Sequence, residues 1–100
     1  VFRLLALVPE GADLDRFVGE VLGVLATDSS QEGADLRLTL AALLDTDLNI
    51  AETARQLRYH YNTVRYRVAK LERTVGPFTT DPELRLSLRL ALKIVAMRDR

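Results

Sequence analysis

The 100-residue sequence contains no cysteine and only one histidine, His60. A disulfide framework, a thiolate metal site and a cluster of histidine ligands are therefore all excluded. No run of about 18 apolar residues occurs, so we expect no membrane-spanning helix. The apolar segment at residues 1–9 is too short for a signal peptide and is followed by acidic residues rather than a cleavage site. We therefore expect a cytoplasmic protein.

The sequence also lacks the short motifs on which common enzyme active sites are built. It has no G-x-S-x-G and no glycine-rich phosphate loop. Acidic residues are plentiful, but no motif places a pair of them around a histidine or a nucleophile. Ser29 and Ser30 share no recognisable context with the distant His60. We predict no catalytic residue, no metal site and no cofactor.

The formal net charge is zero, but the charges are unevenly distributed. Residues 1–45 carry three basic and eight acidic side chains, a net charge of −5, whereas residues 46–76 carry a net +3 and residues 77–100 a net +2. A polyanion responds to the local potential within a Debye length of roughly 10 Å. Zero overall charge therefore does not exclude nucleic-acid binding, although an ordinary solvated helix would show the same local excess.

Apolar residues recur at three- and four-residue spacings along most of the chain, which predicts an all-α fold of about five helices. The first helix is expected to begin with Asp13 as its cap and to run to about Leu25. Thr27–Gly33 is rich in polar residues and is predicted to be a loop. Leu36–Asp45 forms the second predicted helix, and the apolar run Phe2–Val8 is left unassigned.

The third and fourth predicted helices form a helix-turn-helix between residues 49 and 76. Asn49 is expected to cap the third helix by accepting the amide proton of Glu52, and the Glu52 side chain is expected to reach back in a variant of the capping box. Ala54 is small where two helices must cross at a steep angle. Arg58–His60 forms the predicted turn between the two helices.

The fourth helix is predicted to start near His60 or Tyr61, to run to Thr74, and to end at Gly76. One face of this helix is an apolar stripe of Val64, Val68, Leu71 and Val75. Almost every side chain on the other face can donate a hydrogen bond or carry positive charge. This pattern is typical of a motif that places its second helix in the DNA major groove.

The last predicted helix is capped by Thr80 or Asp81, with Pro82 in its first turn. It carries two apolar stripes, where a surface helix needs only one. The first stripe contains Leu84, Leu88, Ala91 and Val95. The second contains Leu86, Leu90, Ile94 and Met97. Some other element must therefore cover the second stripe: the N-terminal helix, an upstream domain or another copy of the chain.

Position along the fourth helix suggests two roles, because its N-terminal turn reaches deepest into the groove. The candidates for contacts to base edges are His60 at the rim, Tyr61, Asn62, Arg65 and Tyr66. The candidates for phosphate contacts are Thr63, Arg67, Lys70 and Arg73. Each residue also has a simpler interpretation. His60 would be a turn residue or a helix cap, Tyr59 would pack against the domain, and any single arginine would be a solvated charge.

Four segments together resemble the C-terminal helix-turn-helix domain of the PucR family of bacterial transcription regulators, which includes the sugar-diacid regulators. They are L-R-L-T-L at residues 36–40, N-I-A-E-T-A-R-Q-L at 49–57, H-Y-N-T-V-R-Y-R-V at 60–68 and D-P-E-L-R-L-S-L-R-L-A-L at 81–92. The segment at residues 17–25 resembles the helix that precedes the motif in that family. Tyr61 departs from the family, because many relatives carry arginine or another polar residue there.

The resemblance implies a sequence-specific DNA-binding domain of a transcription regulator, often an activator, with a Fis-like or homeodomain-like arrangement of helices. It also implies binding to double-stranded DNA as a homodimer and an upstream sensory domain absent from this chain. Residues 1–33 would then be a tail and packing helix that ends or follows an upstream domain, and residues 34–100 the DNA-binding domain. The alternative is a protein-interaction module that uses the apolar C-terminal helix.

Overall fold

The computed structural model describes residues 12–98. Within that range the chain forms five α-helices and one short 3-10 helix, without strands. We number the α-helices α1 (Ala12–Leu22), α2 (Gln31–Asp45), α3 (Ile50–Leu57), α4 (Tyr61–Val75) and α5 (Pro82–Arg98), and the 3-10 helix spans Gly23–Ala26. The predicted all-α fold of about five helices is confirmed. The unassigned run Phe2–Val8 lies outside the described residues.

The first helix ends earlier than its apolar pattern indicates. It begins at Ala12, so Asp13 lies in its first turn rather than at a cap position. It ends at Leu22, because Gly23 adopts a φ of 59° and turns the chain into the 3-10 helix. A left-handed backbone conformation of this kind is one that glycine adopts without steric strain. The turn buries Leu25, which therefore belongs to the core although it is outside α1.

The predicted loop Thr27–Gly33 is only partly a loop, since α2 already begins at Gln31. The Asp28 carboxylate accepts hydrogen bonds from the backbone N–H and the hydroxyl of Ser30, at 2.9 and 2.5 Å. The Ser30 hydroxyl oxygen in turn accepts the Gly33 N–H at 3.0 Å and caps the helix. A Cβ atom at Gly33 would lie 2.5 Å from Asp28 Cγ, so only glycine fits here. The polar residues that led to the loop prediction therefore form the N-terminal cap of α2.

One hydrophobic core joins all five helices. Its fully buried large side chains include Leu22, Leu25, Leu40, Leu43, Leu71, Phe78 and Leu88. Helix α1 packs along α5, and α3 and α4 pack against α2. Val18 and Leu22 of α1 belong to the same buried cluster as Leu40 of α2 and Leu71 of α4. Residues 12–26 therefore share a core with the helix-turn-helix, and a domain boundary at residues 33–34 stays a prediction.

Helix α5 buries part of both of its apolar stripes. Leu88 and Ala91 of the first stripe are buried, as are Leu90 and Ile94 of the second. Helix α1 lies against α5, and its Leu14 lines a cavity together with Ile94 and Met97 of the second stripe. The N-terminal helix, one of the three predicted possibilities, therefore covers part of that stripe. The side chains at the two ends of that stripe, Leu86 and Met97, are exposed.

Candidate nucleic-acid interface

The first helix of the motif, α3, forms one of the two capping hydrogen bonds that the sequence predicted. The Asn49 side-chain oxygen accepts the Glu52 N–H at 2.9 Å. The reciprocal half of the capping box is wrong, because the Asn49 N–H donates to the carbonyl of Thr46 at 3.2 Å. The Glu52 carboxylate instead accepts hydrogen bonds from Arg55 and Gln56. The cap nevertheless fixes where α3 starts, and hence where the turn falls.

The turn between α3 and α4 consists of residues 58–60, as predicted. Arg58 adopts a left-handed conformation with φ 60° and ψ 41°. The N–H of Tyr59 then donates to the carbonyl of Ala54 at 2.9 Å, and the N–H of Arg58 donates to the carbonyl of Arg55 at 3.3 Å. This pair of bonds is the Schellman arrangement that ends a helix and reverses the chain. His60 occupies the N-cap position of α4, without a capping bond from its side chain.

Helix α4 buries the predicted apolar stripe. Val64 and Leu71 are completely buried, and Val68 and Val75 pack against the core at its edge. The helix ends at Val75, one residue later than predicted, and Gly76, with φ 104°, is its C-cap as expected. With this face turned inward, the opposite face of α4 must point away from the protein.

The outward face forms an exposed ridge of polar and cationic side chains. Taking 100° per residue, Asn62, Tyr66 and Arg73 lie roughly 150–170° from the buried stripe, and Arg65 lies about 90° to one side. All four are exposed, Tyr66 to 61% of its surface. His60 and Tyr61 are exposed beside them at the start of the helix. None of these six side chains forms a hydrogen bond or ion pair with another residue of the described chain. They are the residues of the structure best placed to meet a ligand.

Arg67 lies on the opposite flank of α4 and is held against the surface of α2 and the turn. Its guanidinium donates to the Thr39 hydroxyl at 3.2 Å, lies 3.8 Å from the Asp35 carboxylate, and stacks over the ring of Tyr59. The Arg67 side chain is 20% exposed. The sequence pattern predicts a phosphate contact for Arg67, and that role stays a prediction. Its spacing from Val64 and Leu71 already indicated a position beside the buried stripe.

Lys70 faces helix α2 as well. Its Nζ lies 2.5 Å from Glu32 Oε1, and this hydrogen bond raises the pKa of Lys70 above the ordinary lysine value. The ammonium is therefore charged at neutral pH. Thr63, also half-buried, shares with Lys70 a groove between α2 and α4, to which Glu32, Asp35 and Tyr66 contribute. Three predicted phosphate contacts, Thr63, Arg67 and Lys70, thus lie beside acidic side chains of α2 that local sequence patterns did not indicate. Arg73 is exposed at the outer ridge.

Tyr59 and the buried threonines lie on the core side of the motif, away from the exposed ridge. Tyr59 packs against the hydrophobic core, in agreement with the simpler of its two readings. The Thr53 and Thr46 hydroxyls, on α3 and at the end of α2, lie 2.8 Å apart and share a hydrogen bond. Thr39 donates to the Asp35 carbonyl at 2.7 Å while it accepts from Arg67. Across the described residues, every buried side-chain polar atom has a hydrogen-bond partner, so the scaffold is electrostatically satisfied without a ligand.

In the part of the chain that the structure covers, no helix is long and apolar enough to cross a membrane.

Comparison with known proteins identifies the motif. A profile of the PucR C-terminal helix-turn-helix domain matches residues 36–94. The purine catabolism regulatory protein of Bacillus subtilis (strain 168) is 43% identical over 92 residues, which are 92% of this chain and 17% of that protein. An uncharacterised protein in the pkwA 5' region of Thermomonospora curvata is 40% identical over 72 residues, 72% of this chain and 39% of that protein. No solved structure matches the chain.

The chain thus spans about a sixth and two fifths of the lengths of these two relatives. The matched residues include α3, the turn, α4 and most of α5, the elements that form the exposed ridge and support it. None of the comparisons favours a protein-interaction module over a DNA-binding domain. The profile match and the buried stripe of α4 agree on the helix-turn-helix, and the chain belongs to the PucR C-terminal helix-turn-helix family.

Proposed function

We propose that this domain binds double-stranded DNA sequence-specifically, with α4 in the major groove. The observation that carries the proposal is the exposed ridge of α4, whose polar and cationic side chains engage no other described residue. The spacing between α3 and α4 and the three-residue turn are typical of this mode of DNA binding.

Asn62, Arg65 and Tyr66 are the side chains to which we assign base contacts, with His60 and Tyr61 at the entry to the groove. Arginine can grip guanine with two hydrogen bonds and asparagine can do the same with adenine, each pair discriminating by roughly 1–3 kcal/mol. Because Tyr61 departs from the family pattern, we expect this chain to prefer an operator different from those of relatives with a polar residue there.

Phosphate contacts are assigned to Arg73, Thr63 and Lys70, which lie farther from the centre of the groove or later in the helix. Contacts of this kind set the register of the protein on the duplex without reading sequence. Lys70 is available only if it leaves Glu32. We assign Arg67 instead to the positioning of α4, because its guanidinium already contacts Thr39, Asp35 and Tyr59.

The two relatives are much longer than this chain, so the wider role is also a proposal. We propose that the domain delivers a transcription regulator to its operator and that an upstream sensory domain controls it. Residues 1–33 would then contain the packing helix α1, which belongs to the core of the DNA-binding domain, together with the connection to the sensory domain. The B. subtilis relative is named as a regulator of purine catabolism. A cytoplasmic location, a homodimeric state and an activating role are part of the proposal because PucR-type regulators suggest them.

Selection of binding sites from random duplexes, followed by fluorescence anisotropy with the 100-residue chain, tests the proposal. We expect an enriched sequence, bound with a log–log salt slope of about −0.9 for each phosphate contact. A dimer would select two half-sites about 10–10.5 base pairs apart, or a multiple of that distance. A mass measurement of the free and bound protein gives the oligomeric state. No enriched sequence, together with no binding to any duplex at low salt, would disprove DNA binding.

A further inference from the structure

Two carboxylates on helix α2 face helix α4. Glu32 pairs with Lys70 and Asp35 pairs with Arg67, at 2.5 and 3.8 Å. The residues of each pair are far apart in sequence, so both pairs exist only because α2 and α4 pack together. They lie on one flank of α4, next to the ridge that we assign to DNA. Acidic groups at this place are unexpected, since they repel the polyanion that the neighbouring cations attract.

The two pairs differ in how firmly they are held. The Arg67 guanidinium has two further contacts, the hydroxyl of Thr39 and the ring of Tyr59, and Asp35 is 28% exposed. Lys70 has Glu32 as its side-chain partner, and the Glu32 side chain is 65% exposed. Exposed ion pairs contribute little to stability because water solvates both groups and both side chains lose rotamer freedom. The Glu32–Lys70 pair is therefore the one that a competing anion can replace.

On the basis of the proposed DNA-binding function, we propose that Glu32 sets the DNA affinity of this domain by competing with a backbone phosphate for the Lys70 ammonium. In the free protein Glu32 holds the ammonium. On a duplex, Lys70 either remains with Glu32 and adds nothing to binding, or turns to a phosphate and leaves an unpaired carboxylate near the DNA. Both outcomes reduce affinity for every duplex, so Glu32 keeps the domain from occupying arbitrary DNA tightly.

The simplest test compares Glu32→Gln with the wild-type chain on a random duplex and on the selected operator. Glutamine keeps the size of the side chain and removes its charge. We expect both duplexes to bind about 1.4- to 5-fold tighter at low salt, the range that corresponds to an exposed ion pair, and the gain to shrink as salt screens it. Glu20→Gln on α1 is the control, because Glu20 is exposed and its replacement changes the net charge by the same amount.

A double-mutant cycle separates competition from simple repulsion. If Glu32 acts through the ammonium, the gain in affinity from Glu32→Gln is smaller in a Lys70→Gln background than in the wild-type chain. An undiminished gain in that background would show that Glu32 merely repels phosphates, and would overturn the proposal. Thermal melting followed by circular dichroism checks that each variant is folded. A merely structural role for Glu32, which lies in the first turn of α2, predicts weaker or unchanged DNA binding in the variant.

The results also distinguish this inference from the proposed function. If the wild-type chain binds no duplex, DNA binding itself fails. If the wild-type chain binds with a steep salt dependence while Glu32→Gln and Glu20→Gln behave alike, only the role of Glu32 fails.

Discussion

Arg67 lies over the aromatic ring of Tyr59, with its Cζ atom 4.4 Å from the ring centroid. Tyr59 belongs to the turn and packs against the core, whereas Arg67 belongs to helix α4. Because the same guanidinium also donates to Thr39 of α2, one side chain connects α4 both to the turn and to α2. The direction in which α4 projects from the domain therefore depends on a residue that its charge alone would assign to DNA.

We expect Arg67→Ala to lower the free energy of unfolding by about 1–3 kcal/mol, since it removes a charge-assisted hydrogen bond and a cation–π contact. Arg67→Lys keeps the charge but not the planar group, and should recover only part of the loss. Urea denaturation followed by circular dichroism measures both. Arg73→Ala on the same helix is the control, and as an exposed substitution it should stay within about 0.5 kcal/mol of wild type.

An Arg67→Ala variant with wild-type stability and a salt slope flatter by about one unit would contradict this role. That combination would return Arg67 to the group of phosphate contacts.

Arg65 has the opposite environment, exposed and without a partner in the described chain. We expect Arg65→Ala to weaken binding to the selected operator by roughly 1–3 kcal/mol, because a donor pair for guanine is lost. Binding to random duplex should fall much less. Competition binding assays with both duplexes measure the difference, and Arg73→Ala, which should weaken both duplexes equally, is the control. Equal losses on the two duplexes for Arg65→Ala would rule out a base-reading role.

Local sequence signals were enough to predict most of the helix boundaries. Asn49, Gly76 and either Thr80 or Asp81 were expected at helix ends. Asn49 and Gly76 are found there, and of the other two it is Asp81 that accepts the N–H groups of Glu83 and Leu84. A cap, a glycine and a proline act within a few residues, so their effect can be read from spacing alone. The inward stripe of α4 follows from periodicity for the same reason.

Contacts between distant residues could not be predicted in this way. The Lys70–Glu32 and Arg67–Thr39 contacts depend on the angle and register at which α2 meets α4, which no local spacing specifies. The start of α2 was missed because Asp28, Ser30 and Gly33 form a compact cap from residue types that are also common in loops. In the candidate site, exposure of the ridge was therefore predictable, whereas the availability of each cation was not.

Ala54 tests whether close packing of α3 sets the geometry of the motif. It is 6% exposed and belongs to the same buried cluster as Val64 of α4. Ala54→Leu should lower stability by about 1–3 kcal/mol, because extra methylene groups enter a filled space, and it should weaken operator binding as α4 shifts. Ala51→Leu is the matched control on the exposed face of α3. Equal stability of the two variants in urea denaturation would show that the site at Ala54 has room.

Asp28 makes stability depend on pH in the acid range. Hydrogen bonds from the Ser30 hydroxyl and, secondarily, from the Ser30 backbone N–H lower the pKa of Asp28 below its ordinary value of 3.8. A carboxyl whose pKa is depressed by folding contributes stability above its unfolded pKa, and this stability is lost as the pH falls through the folded pKa. We expect stability to decline below about pH 4, and to decline less steeply in Asp28→Asn. NMR titration of the Asp28 carboxyl should show its pKa rise in Ser30→Ala; an unchanged value would disprove the assignment.

Arg58 provides a test of backbone strain in the turn. It adopts the left-handed conformation at a position where helices usually end in glycine, and its Cβ makes this conformation unfavourable. Arg58→Gly should therefore raise the free energy of unfolding by about 0.5–1 kcal/mol, the part of the strain that exceeds the extra entropy of glycine in the unfolded chain. Arg58→Ala is the control, because it removes the charged side chain but keeps the Cβ atom. Urea denaturation of both variants should show a gain for glycine alone; if alanine stabilises equally, charge repulsion among neighbouring cations, and not the backbone, is the cause.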